Sequence, residues 1–131
     1  MKKVLLDTNA YAALLRGDER VLDVLAKAEH VYFSAVVLGE LFAGFRGGSL
    51  FFENKQRLDQ FMARPQVALL SVGRETADVF GTVKHQLKRD GTPIPLNDVW
   101  IASHAMETGA VLVTYDKHFR QVAGLRLWDE V

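Results

Sequence analysis

Four acidic residues occupy places where a folding chain rarely leaves a charge. Asp7 ends the apolar run VLL, Glu40 interrupts SAVVLGELFAGF, Asp98 lies on the apolar side of NDVWIASHAM, and Asp116 follows VLVTY. Burying a carboxylate is costly unless something positive neutralises it. Each acid has an ordinary alternative use. Asp7 and Asp116 could be turn or N-cap residues. Asp98 could be a first-turn acid favoured by the helix dipole, worth about 0.3–1 kcal/mol. Glu40, which falls beside Val37 within an apolar stripe, could be a core acid paired with an arginine or reaching solvent near Gly44. Those uses are four independent explanations, whereas one shared pocket accounts for all four residues. Gathered carboxylates repel, so without a cation at least one would hold a proton near neutral pH. A hard divalent ion removes the conflict. With no cysteine and no obvious histidine cluster, oxygen ligands favour Mg2+ or Mn2+ over Zn2+. Such an ion suits water attack on a phosphodiester.

The elements that must position these acids follow from periodicity and punctuation. Apolar runs at residues 4–6, 31–33, 67–70 and 111–113, with a short fifth at 125–127, read as strands. Helical spacing covers residues 10–15 (closed by Gly17), 19–28, 35–45 (capped by Ser34), 50–63, 75–89 and 98–108. Asp7-Thr8-Asn9 reads as a turn, Asn97 as the cap of the last helix, and Gly109 as its stop. Strands alternating with helices imply an α/β fold with a largely parallel sheet. In such sheets ligands bind beyond the carboxyl ends of the strands, where strand order reverses, and Asp7 and Asp116 each follow a strand there.

The chain has 131 residues, enough for one domain with a substantial core, and no linker or repeat divides it. Sixteen Lys+Arg balance sixteen Asp+Glu, so any polyanion contact must come from a local basic patch rather than from overall charge. The absence of cysteine excludes disulfide scaffolds, thiolate zinc sites and cysteine nucleophiles. The opening MKKVLLDTNAYAALL imitates a leader, but Asp7-Thr8-Asn9 breaks its apolar run, and it reads better as a buried strand entering a helix. No segment approaches the length of a membrane span. The expectation is a soluble, cytoplasmic protein.

The strings VLLDTNAYAALL, SAVVLGELFAG, IPLNDVWIASHA and VLVTYDKHF, in that order, resemble the four motifs of PIN-domain ribonucleases, above all the VapC-type toxins of toxin–antitoxin pairs. The resemblance spans nearly the whole chain, through GLRLWD. It implies a single PIN-like nuclease domain over residues 1–131, an α/β/α sandwich whose mainly parallel five-stranded sheet has the order 3-2-1-4-5. It places Asp7, Glu40, Asp98 and Asp116 at a Mg2+ or Mn2+ site, with Thr8, Asn9 and Thr114 hydrogen-bonding those carboxylates or the attacking water. It also implies an RNA substrate, a homodimer, and a small antitoxin that lies in a groove and blocks the pocket. The chain departs from many relatives in carrying Lys117-His118-Phe119 where they have a further acid. His118 is expected in a surface loop, contact with Asp116 or a phosphate being its other use. His30, His85 and His104 are expected to be structural or exposed.

For RNA, cations must flank the pocket, and the candidates are Arg16, Arg46, Lys84, Lys88, Arg89, Lys117 and Arg120. The segment SLFFENKQRLDQFMA carries more apolar residues than one buried helical face needs, which leaves some for a dimer contact or a partner groove. The expected activity is endoribonuclease cleavage by water, leaving 5′-phosphate and 3′-hydroxyl ends, with Asp7 and Asp98 as direct metal ligands. Two other readings compete. One is a catalytically inactive PIN-fold module that binds RNA or protein. The other is a haloacid-dehalogenase-type phosphatase, which needs a second Asp where this chain has Asn9.

Overall fold

The computed structural model describes residues 1–130. In chain order the elements are β1 (Lys3–Leu6), α1 (Thr8–Leu15), α2 (Glu19–Lys27), β2 (His30–Ser34), α3 (Ala35–Arg46), α4 (Phe51–Met62), β3 (Val67–Leu70), α5 (Arg74–Asp90), α6 (Leu96–Thr108) and β4 (Val111–Val113), followed by 3-10 turns at Lys117–Gln121 and Trp128–Glu130. The strands form one parallel sheet in the order β3-β2-β1-β4, with Val4 opposite both Val31 and Val111. Val4, Leu5 and Leu6 of β1 and all of β4 are buried, as expected of central parallel strands covered on both faces by helices. At the β3 edge, Ala68 and Leu69 are exposed.

The first four strands have the expected order, but the fifth is reduced to a single parallel bridge between Leu112 and Leu127. The Leu112 N–H donates to the Arg126 carbonyl at 2.8 Å. Gly124 (φ 80°) turns the chain just before this point, and a 3-10 turn begins at Trp128. That leaves room for one rung only.

Two helix starts also differ from expectation. α1 begins at Thr8, because the Asp7 side chain accepts from the Ala10 N–H at 2.8 Å and caps the helix directly. α6 begins at Leu96 with Pro95 as its N-cap, so Asn97 lies inside the first turn, beside Asp98. The core is centred on the sheet. Tyr11, Phe33 and Phe61 pack edge to face with ring centroids 5.4–5.6 Å apart, joining α1, β2 and α4. Among the described residues no helix is long and apolar enough to cross a membrane.

Candidate metal centre

Because β1 and β4 are parallel neighbours, their carboxyl ends deliver two acids to one edge of the sheet. Asp7 follows β1 and is only 4% exposed. One carboxylate oxygen accepts from the Ala10 N–H and the other from the Thr114 hydroxyl. The same Thr114 oxygen accepts from the Asp116 N–H at 2.9 Å, so a single side chain just beyond β4 ties both acids to the sheet. Glu40 arrives from α3, half-buried, and accepts a 2.7 Å hydrogen bond from the Thr8 hydroxyl. Asp98 arrives from the first turn of α6.

Burial pushes the Asp7 carboxyl up to about 6. Its bonds from Thr114 and Ala10 oppose that rise, and the charges of Asp98 and Asp116 add to it. Asp98 is also raised, first by burial; His118 opposes the shift, while Glu40 and Asp116 reinforce it. Asp98 and Asp116 therefore lie close enough to act on Asp7, and Glu40 and Asp116 close enough to act on Asp98.

His118 is the residue that sequence reasoning placed wrongly. It is half-buried, not a loop side chain in solvent. The 3-10 turn after Asp116 swings its ring back, so that Nδ1 lies 2.9 Å from an Asp116 oxygen and Nε2 lies 2.8 Å from an Asp98 oxygen. The Nε2 atom is buried against the Asp98 carboxylate. One ligand atom each from Asp98, Asp116 and His118 lie within 4.8 Å of one another. A ring held between two carboxylates, one of them raised chiefly by burial with smaller contributions from its acidic neighbours, is a donor set that fits a divalent cation. Asp98, Asp116 and His118, with Asp7 and Glu40 adjoining, are the residues that could hold one.

Thr8 and Thr114 do hydrogen-bond the acids, as expected. Asn9 does not: it is exposed in the first turn of α1, and no bond joins its side chain to any of the four. His104 is buried and structural. Its ring nitrogens meet the Ser34 hydroxyl at 2.9 Å and the Ser71 carbonyl at 3.2 Å, tying α6 to the chain at the ends of β2 and β3.

The basic candidates scatter. Lys117 and Arg120 stand beside Asp116, with Arg120 paired to Asp129 at 2.8 Å. Arg16 closes α1. Arg46 covers the Phe51 ring at 4.6 Å. Lys84 and Lys88 line a separate small cavity with Pro93 and Ile94. Arg89 pairs with its neighbour Asp90. A cation near the site that sequence reasoning missed is Arg20, on the first turn of α2; its aromatic partners, Tyr115 and Trp128, are distant in sequence.

A second feature lies along α1. Between α1, α2 and α4 runs a cavity of about 420 Å³, lined by Tyr11, Leu14, Leu22, Leu25, Phe61 and Arg57 among others. Leu15 and Leu22 are exposed on its rim, and the buried Tyr11 hydroxyl has no hydrogen-bond partner. The apolar surplus of residues 50–63 divides accordingly. Leu58 and Phe61 are buried, whereas Leu50 and Phe52 are exposed.

Comparison with known proteins agrees with this architecture. The PIN domain profile matches residues 4–125. The chain is 32% identical to ribonuclease VapC2 of Rickettsia felis, covering 96% of this chain and 98% of that protein. It is 28% identical to the tRNA(fMet)-specific endonuclease VapC of Salmonella typhimurium, covering 98% of both. The crystal structure of VapBC2 from Rickettsia felis bound to a promoter DNA fragment superposes with a TM-score of 0.84 at 25% identity, covering 95% of this chain and 96% of that one. The chain therefore belongs to the PIN-domain family, among the VapC ribonucleases.

Proposed function

We propose that this protein is a divalent-metal-dependent endoribonuclease, the toxin of a VapBC-type toxin–antitoxin pair. The observation that carries this reading is the convergence of Asp7, Glu40, Asp98 and Asp116 at one sheet edge, with the Asp7 carboxyl raised to about 6. Relatives named as ribonucleases support it. Asp7, Asp98 and Asp116, joined by His118, are the residues that would hold the ion, with Glu40 completing the pocket. When bound, a Mg2+ or Mn2+ ion supplies positive charge to phosphate oxygens and lowers the pKa of an attacking water. The protein's own part is orientation. Thr114 and the Ala10 N–H fix both oxygens of Asp7, and Thr8 fixes one oxygen of Glu40. The Glu40 carboxylate, half-buried and held by Thr8, serves as the proton acceptor for water. The products carry 5′-phosphate and 3′-hydroxyl ends.

Hydrolysis of a labelled RNA in Mn2+, suppressed by chelator, is the expected result. Tight RNA binding without hydrolysis in either ion would instead favour an inactive binding module. The groove along α1 suits an apolar antitoxin segment, since its exposed leucines and the unpartnered Tyr11 hydroxyl offer both area and a polar anchor. The exposed Leu50 and Phe52 support a homodimer in the same reading, which light scattering on the purified protein checks.

A further inference from the structure

Next to the acidic cluster, and sharing Asp116 and Thr114 with it, is a cavity of about 170 Å³ whose lining includes Arg20, Tyr115, Lys117 and Trp128. Its size is well below the ~300–1,000 Å³ of pockets that enclose a whole small ligand, so it suits one unit of a polymer. Its walls are fixed. Trp128 is buried and donates through Nε1 to the Thr114 carbonyl at 2.7 Å. Tyr115 packs edge-on to Trp128 at 5.2 Å and donates its hydroxyl to Asp18 at 2.6 Å, yet it remains 43% exposed. The Arg20 guanidinium carbon lies 4.7 Å from the Trp128 ring centroid and 5.7 Å from that of Tyr115.

An arginine plane beside an exposed tyrosine, with a lysine next to it, is how proteins hold an unpaired nucleotide: the base stacks and the cations meet phosphate. The acids nearby are already engaged. Asp129 pairs with Arg120 at 2.8 Å, and Asp18 accepts from the Tyr115 hydroxyl and the Val21 N–H while its charge holds Arg20 beside the rings. Asp116 belongs to the metal-binding cluster proposed above.

We propose that Arg20, Tyr115 and Lys117 form a nucleotide subsite that seats the RNA unit flanking the scissile phosphate on the Asp116 side. The subsite rests on the ribonuclease reading and deepens it, for it governs substrate affinity and local sequence preference rather than bond cleavage.

The test uses the full-length Asp7→Asn protein, which should bind RNA without cutting it, and a fluorescent mixed-sequence single-stranded RNA followed by anisotropy. Tyr115→Ala and Arg20→Gln introduced into it should each weaken binding about tenfold. Tyr115→Phe keeps the stacking face and should stay within twofold. Arg20→Lys, which keeps charge and loses the plane, should fall between. Thermal unfolding of each variant identifies any loss that comes from misfolding, and Lys117→Gln, at an exposed position, supplies a variant free of that risk. In the otherwise wild-type chain, the Tyr115→Ala change should raise KM and leave kcat nearly unchanged. Unchanged affinity in a folded Arg20→Gln/Tyr115→Ala/Lys117→Gln protein overturns the subsite. So does a parent that does not bind the RNA. Cleavage by the wild-type chain in Mn2+ is read in parallel, so failure of the subsite and failure of the ribonuclease reading are told apart.

Discussion

At the N-terminus of α1 a carboxylate is held by hydrogen bonds from Thr114 and the Ala10 N–H and raised by burial, with a smaller push from its acidic neighbours. Along the flank of the same helix, from one turn to just over two turns beyond Asp7, Tyr11, Leu14 and Leu15 face a groove that is mostly hydrocarbon. The two regions differ in what they respond to. The acidic site carries an electrostatic cost, so it is sensitive to protons and cations. The groove carries exposed apolar area, so it is sensitive to what covers it. A single helix thus couples a site suited to an ion with a surface suited to a protein chain.

The largest expected effect lies at the acidic site. Asp98→Asn or Glu40→Gln should lower RNA cleavage on the order of a thousandfold, the loss of several kcal/mol of charge stabilisation. Circular dichroism should remain that of the wild type. Cleavage within tenfold of wild type for both variants would break the contrast, since the acids would then be no more than structure.

Stability should move the other way. Unfolded, Asp7 titrates near 3.8; folded and without metal, it titrates near 6. The folded state therefore binds the proton more tightly, and stability falls as pH rises from about 4 to about 6, then levels off. A shift of that size corresponds to ~3 kcal/mol near neutral pH. Asp7→Asn, which removes the charge and keeps the shape, should be more stable than wild type by about that amount above pH ~6 and by little near pH ~4. Equal unfolding midpoints across the range would show that the carboxylate is solvated after all. Added Mn2+ should raise the wild-type midpoint near neutral pH and not that of Asp7→Asn.

Smaller effects sharpen the groove. Leu22 is 54% exposed, so Leu22→Glu should leave the midpoint of the isolated chain within about a degree. It should nevertheless weaken a co-expressed antitoxin tenfold or more, ~1.4 kcal/mol or above. Calorimetry of the purified pair reads this directly, and an unchanged affinity would remove the groove from the interface. Smallest of all, Tyr11→Phe deletes a hydroxyl without a partner, and the isolated chain should change by less than ~1 kcal/mol.

Much of the acidic site was legible because its residues contradict their surroundings. An acid ending VLL, or inside AVVLGELFAGF, is locally unexplained, and a parallel sheet gives such acids a common edge. The alternation of strand and helix implied a parallel sheet, and the order of its first four strands came from the resemblance to PIN-domain ribonucleases. What was not legible depends on tight turns and distant partners. His118 reaches Asp98 only because the chain coils into a 3-10 turn after Asp116, and a periodic reading has no signal for that. The fifth strand shrank to one rung because Gly124 and Trp128 bracket it. Asn9 reads as part of a capping turn in sequence, yet α1 begins early enough to point it to solvent. Arg20 meets Tyr115 and Trp128 across nearly the length of the chain.

The most direct measurement is a manganese titration of labelled-RNA cleavage near neutral pH, run with wild type and Asp7→Asn side by side. The wild-type rate should rise with Mn2+ and vanish with chelator, while the more stable Asp7→Asn protein should show no cleavage above background. An Asp7→Asn protein that cuts at the wild-type rate, or a wild type indifferent to chelator, would contradict the account.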